Sequence, residues 1–75
     1  MIIIIESWDE GFQKIVLTHL QIDLLKLSLK DAKCNVDKLL DGQVILIEID
    51  NEQLALNFIE EVKKIKANCR ILYWF

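Results

Sequence analysis

The chain has 75 residues, of which 53% are hydrophobic and 28% charged, and its formal net charge is −3. This composition predicts one globular domain over residues 1–75 and excludes a disordered chain, which would carry fewer apolar residues. The acidic balance and the lack of a basic stripe argue against nucleic acid as a ligand. No apolar run approaches the roughly 20 residues that a membrane-spanning helix needs, so we expect no membrane partner.

The sequence offers little for catalysis or metal binding. Cys34, Cys69 and the single histidine, His19, lack the spacing of a zinc site, so we expect no metal and no cofactor. No nucleophile or carboxylate lies at a predictable distance from His19, and we therefore predict no catalytic residues and a non-enzymatic protein. Two isolated cysteines are typical of reduced thiols, and the apolar start is too short for a secretory signal, so we expect a cytoplasmic protein.

The first predicted elements are a strand and a helix. Residues 2–5 are an unbroken isoleucine run, which predicts a strand buried on both faces. Asp9 is a candidate N-cap for a helix over residues 12–25, although the β-branched run inside it is also compatible with a strand. The helix should bury one face and expose another. The residues predicted to face the core are Val16, Leu17, Leu20 and Leu24, and those predicted to face solvent are Lys14, Thr18 and Gln21.

The second helix has the most regular pattern in the chain. Ser28, followed three residues later by Asp31, predicts a start that resembles a capping box with Asp in place of Glu. Leu27 precedes this cap, and Asp41-Gly42 predicts the end of the helix near Leu40. The residues predicted to share its apolar face are Leu29, Ala32, Val36, Leu39 and Leu40.

The second half of the chain predicts a strand, a helix and a last strand. In residues 43–50, Ile45, Ile47 and Ile49 alternate with Val44, Leu46, Glu48 and Asp50, so the two sets should face opposite ways. Asp50 or Asn51 should cap a third helix, and Asn68 should end it. The residues of this helix predicted to face the core are Leu54, Phe58, Val62 and Ile65. Residues 69–75 are predicted to form the last strand.

The predicted order is β-α-α-β-α-β, an α+β fold. Two antiparallel helices return the chain, so the second strand should run antiparallel to the first. A right-handed crossover through the third helix makes the third strand parallel to the second. The apolar first strand fits best between them, which predicts a three-stranded antiparallel sheet in the order 2-1-3 with three helices on one face.

This order, together with residues 14–25, 27–33 and 53–71, resembles the C-terminal domain of the bacterial ribosomal stalk protein. The segment Leu27-Ser28-Leu29-Lys30-Asp31-Ala32-Lys33 is similar to the Gly-Leu-x-Leu-Lys-Glu-Ala-Lys run between that family's first two helices. The Clp protease adaptor family is similar in topology and over residues 42–71. Its Asn-Asp-Asp after the first strand is replaced here by Glu6-Ser7-Trp8-Asp9.

The stalk resemblance implies a surface that docks a protein partner, which in that family is a translational GTPase. The surface lies on the first helix and the start of the second. Carried over position by position, it consists of Lys14, Ile15, Thr18, His19, Ile22, Lys30 and Lys33. The family has basic residues at the positions of His19 and Ile22, so part of the charge that would attract an acidic partner is absent here.

The sheet face away from the helices should also be apolar, because its polar residues begin only at Glu48. A small sheet that faces water normally alternates polar residues there, and the chain ends in five large apolar residues. We therefore predict that this face or the tail is buried against a second copy, which would make a homodimer, or against a partner chain, with a tail folded over its own sheet as the alternative. The predicted interface residues are Val44, Leu46, Leu72, Trp74 and Phe75.

Two other functions fit the same features. A small inhibitor of the immunity type would also be short, acidic and rich in surface aromatic residues. A degradation adaptor similar to the Clp family would bind peptides with bulky N-terminal residues near the end of the first strand.

Overall fold

The computed structural model describes residues 1–73, and the predicted interface residues Trp74 and Phe75 lie outside this part of the chain. The predicted order of elements is confirmed. The elements are β1 (Ile2–Trp8), α1 (Lys14–Leu25), α2 (Leu29–Leu40), β2 (Ile45–Glu48), α3 (Glu52–Lys64) and β3 (Ala67–Tyr73). The first predicted helix is a helix and not a strand, and it begins two residues later than predicted.

The three strands form one antiparallel sheet in the order β2-β1-β3, as predicted. Ile3 at the centre lies opposite Ile47 on β2 and Ile71 on β3. The β1–β3 pairing carries two register shifts, one between Ile2 and Ile3 at the start of β1 and one between Ile5 and Ser7 in its middle. Such bulges bend a strand and change the direction of its side chains. The pairing of β1 with β2 has no register shift.

The core lies between the sheet and the helices. Isoleucines from the inner sheet face pack with apolar residues from all three helices, and Ile3, Ile5, Leu17 and Phe58 are fully buried. Helix α2 packs on β1 and β2, α3 packs on β3, and α1 packs on both other helices. The alternation predicted for β2 is confirmed, because its isoleucines are buried and the residues between them are exposed.

Two predicted helix starts are confirmed by their hydrogen bonds. The Ser28 Oγ accepts a hydrogen bond from the Asp31 backbone N–H at 3.1 Å. The Asn51 Oδ1 accepts one from the Leu54 N–H at 3.0 Å. Each bond satisfies one of the N–H groups that a helix leaves without an intrahelical partner, which fixes where the helix begins.

The prediction that Asp9 caps α1 is wrong. Its backbone oxygen accepts from the Phe12 N–H, and its own N–H donates to the Lys66 carbonyl, so Asp9 belongs to a turn. Gly11, with a φ of 94°, permits that turn because it has no Cβ. Helix α1 starts after Gln13 without a side-chain cap.

Several predicted orientations are also wrong. Gln21, predicted to face solvent, is fully buried, whereas Val16 is 36% exposed and Leu29 and Leu40 face outward. Ile2 and Ile4 are only half-buried, so β1 is not covered equally on both faces.

The end of α3 also differs from the prediction, since the helix is capped at Ile65 rather than at Asn68. Lys66 then takes a φ of 70°, which turns the chain straight into β3. Asn68 therefore lies within that strand, and its amide donates to the Ser7 hydroxyl on β1 at 2.8 Å.

We expect Ser28→Ala to lower the free energy of unfolding by about 1 kcal/mol, because the Asp31 N–H loses its acceptor at the start of α2. Urea denaturation followed by circular dichroism measures the change. The matched control is Ser7→Ala, which removes an exposed hydroxyl on β1 and should change the value by less than about 0.5 kcal/mol. Equal effects of the two substitutions would contradict a capping role for Ser28.

Candidate functional site

A groove of about 290 Å³ lies between α1 and α2. Its lining residues are Lys14, Ile15, Thr18, Lys33, Val36, Asp37 and Leu40. The structure therefore brings together four of the residues in the predicted docking surface. The other three, His19, Ile22 and Lys30, are not among the lining residues.

The groove has an apolar floor and charged sides. Val36 is buried at its base, while the Ile15 side chain, 66% exposed, projects beside it. Lys14 and Lys33 bring two positive charges to the groove, and Asp37 brings one negative charge. Within residues 1–73, the observed salt bridges join Lys64 to Glu61 and Arg70 to Glu6, so the groove lysines are not neutralised by a salt bridge.

A buried amide holds the two sides of the groove together. Gln21 on α1 donates from Nε2 to the Leu17 carbonyl at 3.3 Å and to the Ala32 carbonyl on α2 at 3.2 Å. Its Oε1 accepts from the Asn35 Nδ2 at 2.8 Å. Because an unpaired buried amide is costly, these bonds favour one arrangement of α1 against α2 and so fix the spacing of the groove walls.

Sequence reasoning missed Gln21, although one signal points to it. Gln21 lies one helical turn after Leu17 and one turn before Leu24 or Leu25, so it stands in the apolar row of α1. Because glutamine is usually exposed, its residue type led to the prediction that Gln21 faces solvent, although its position favours burial.

The remaining residues of the predicted surface lie outside the groove. His19 is exposed and Ile22 is half-buried, on the turns of α1 that follow the groove. Lys30 is exposed in the first turn of α2. These positions could extend a contact beyond the groove, but they do not line it.

A second cavity, of about 410 Å³, lies beside β3 and carries mixed charge. Its lining residues are Glu6, Asp9, Lys63, Lys66, Ala67, Asn68, Cys69 and Arg70. The Arg70 Nε donates to the Glu6 carboxylate at 2.6 Å, so one acid and one base neutralise each other. Charges of both signs along one wall do not select a phosphate or a carboxylate ligand.

The Cys69 thiol in this wall is not activated as a nucleophile. Burial disfavours the thiolate and raises the pKa of Cys69 from 9.0 to about 11, although Lys63 opposes the shift. A thiol that stays protonated at neutral pH is a poor nucleophile and a poor metal ligand. Among residues 1–73, no group of three or more His, Cys, Asp or Glu side chains could hold a metal ion.

The outer face of the sheet, turned away from the helices, mixes apolar and charged residues. Ile4 lies between Leu46 and Arg70, and Arg70 is joined to Glu6, so the prediction that polar residues begin only at Glu48 is wrong. Leu46 is 59% exposed, and Val44 and Leu72 are about half exposed, so the predicted interface residues in the described part of the chain do lie at the surface. In residues 1–73, no helix has both the length and the apolar character needed to cross a bilayer.

We expect Gln21→Ala to destabilise the fold by about 2–4 kcal/mol, because it leaves a cavity and removes hydrogen-bond partners from Ala32 and Asn35. Urea denaturation gives the change in the free energy of unfolding. Gln53→Ala is the matched control, since Gln53 is exposed on α3 and its loss should cost less than about 0.5 kcal/mol. A loss for Gln21→Ala no larger than the control would refute the buried amide as a constraint.

The Cys69 thiol predicts a fall in stability at alkaline pH. Above pH 9 the unfolded chain loses the thiol proton while the folded chain keeps it, so the unfolded state binds fewer protons. Stability contributed by this group is complete below pH 9 and is lost as the pH rises toward 11. The urea midpoint should fall more steeply over this range for the native chain and Cys34→Ala than for Cys69→Ala. Parallel profiles for all three proteins would contradict the raised pKa.

Comparison with protein-family models, curated proteins and solved structures gave no match for this chain. The resemblances to the ribosomal stalk domain and to the Clp adaptor family therefore stay predictions.

Proposed function

We propose that this protein is a non-enzymatic binding module that docks a protein partner through the groove between α1 and α2. One observation carries the proposal. An exposed isoleucine and a buried valine line the same groove as two lysines that make no salt bridge within residues 1–73, in a chain whose net charge is negative. Apolar area flanked by like charges is a common arrangement at protein interfaces, where the apolar part supplies affinity and the charges supply selectivity.

The shape of the groove favours a protein partner over a small ligand. Pockets for small molecules usually bury most of the ligand. This groove, of about 290 Å³, is open to solvent, because the Ile15 side chain at its side is 66% exposed. An isoleucine exposed in this way can insert into a partner, while the groove accepts one or two apolar side chains in return.

The charges define the partner more closely. Lys14 on α1 and Lys33 on α2 would attract acidic residues beside the partner's apolar contact. Asp37, near the same groove, would repel an acid placed next to it and so restrict the orientation of the partner. We infer an acidic surface segment with exposed apolar side chains.

The stalk resemblance makes a translational GTPase the first candidate partner, in the cytoplasm. Three lysines of the carried-over surface support it, namely Lys14, Lys30 and Lys33. His19 and Ile22 weaken it, because they replace two basic residues of the family with side chains that attract an acid less or not at all.

Site-specific crosslinking tests the proposal in living cells of the source organism. Benzoylphenylalanine at Ile15 should give a specific adduct on irradiation, because this side chain would contact the partner. The matched control carries the same probe at Leu56, an exposed apolar residue on α3. Adding Lys14→Glu and Lys33→Glu to the Ile15 probe should reduce the adduct at least tenfold, since both attractive charges are reversed.

The identity of the adduct, read by mass spectrometry, separates the candidate functions. A translational GTPase supports the ribosomal version, whereas a nuclease would replace it with the inhibitor function and a protease subunit with the adaptor function. The same adducts from Ile15 and Leu56, or no adduct from either, would overturn docking through this groove.

A further inference from the structure

We infer that the partner segment in the groove is an amphipathic helix that carries one acidic residue for each groove lysine, with apolar residues between the two acids. This inference rests on the proposed docking function and adds the structure of the segment that docks. The spacing of the two lysines along the groove determines that structure. The spacing in turn follows from the way α1 and α2 lie against each other.

Helices α1 and α2 run in opposite directions along the groove. Gln21, in the second half of α1, is hydrogen-bonded to Ala32 and Asn35 in the first half of α2. Lys14 lies seven residues before Gln21, so it comes level with α2 about seven residues after that contact, near Leu40. The first turn of α1 and the last turn of α2 therefore line the same end of the groove.

The two groove lysines consequently lie at opposite ends of the groove. Lys33 precedes Leu40 by seven residues on α2, and a helix rises about 1.5 Å per residue, so their backbone positions differ by about 10 Å along the axis. Between these ends lie Val36 and Asp37 from α2 and Thr18 from α1. The groove thus has a positive charge at each end and a middle that combines an apolar floor with one acid.

A helix matches this spacing and an extended segment does not. Seven residues of helix span about 10 Å and make almost two whole turns, so two acids at this separation share one face. In a strand, residues on the same face are about 7 Å or 13 Å apart, and residues about 10 Å apart point to opposite faces. On a helix, apolar residues three and four positions after the first acid share its face and would meet the floor of the groove at Val36.

The acid within the groove makes the spacing selective. Asp37 is exposed one helical turn after Lys33, and it takes part in no salt bridge within residues 1–73. A partner acid only one turn after the acid that meets Lys33 would lie near Asp37, and the two like charges would repel each other. The same four side chains on a partner helix should therefore bind well in one order and poorly in another.

Three peptides of about 18 residues, rich in alanine and glutamine, test this inference. In the matched peptide, two Leu residues follow the first Glu by three and four positions, and the second Glu follows it by seven. In the shifted peptide, the second Glu and the second Leu exchange places, so composition and net charge are unchanged. The proline peptide has Pro in place of the Ala before the second Glu of the matched peptide, which breaks the helix. Fluorescence anisotropy of each labelled peptide, titrated with the full chain, measures its Kd.

We expect the matched peptide to bind at least tenfold more tightly than the shifted peptide and the proline peptide. Lys14→Ala and Lys33→Ala should each raise the Kd of the matched peptide about threefold, the effect of losing one exposed ion pair. Asp37→Lys should tighten the shifted peptide, because its second acid would then meet a cation. The matched control is Lys38→Ala, which removes an exposed lysine of α2 that does not line the groove and should change none of these values.

Equal binding of the matched and shifted peptides would overturn the inference, as would undiminished binding of the proline peptide or no binding of any peptide. An increase in Kd for Lys38→Ala as large as that for Lys33→Ala would also overturn it, because the peptide would not lie in the groove. The crosslink at Ile15 detects a docked segment of any structure. A specific Ile15 adduct together with one of these results would therefore remove the helical segment and keep the docking function.

Discussion

The arrangement of α1 on α2 depends on one buried side-chain amide. Gln21 bonds to the Ala32 carbonyl and to the Asn35 amide, and so joins the two helices with directional contacts that apolar packing alone does not provide. Apolar packing depends on the shapes of the side chains, whereas an amide must in addition meet its partners at defined distances. The groove is lined by residues from the same two helices, so its shape follows from that constraint.

The same amide shows where sequence reasoning succeeds and where it cannot. Helices α2 and α3 pack on the sheet with one face and expose the other, so their periodicity and their caps at Ser28 and Asn51 were sufficient to predict them. Helix α1 contacts both other helices, and its apolar residues are therefore distributed around it. Its buried and exposed sides could not be separated by periodicity, which is why Val16 and Gln21 were assigned the wrong way round.

The candidate groove was predictable only in part, for a related reason. The stalk resemblance supplied four of its residues, but Val36, Asp37 and Leu40 come from later turns of α2. Which turns of two helices meet depends on their crossing, and that crossing is fixed by contacts between residues distant in sequence. The periodicity of α2 places Leu40 on the core face. Nothing in the local sequence shows that Leu40 lies outside the core.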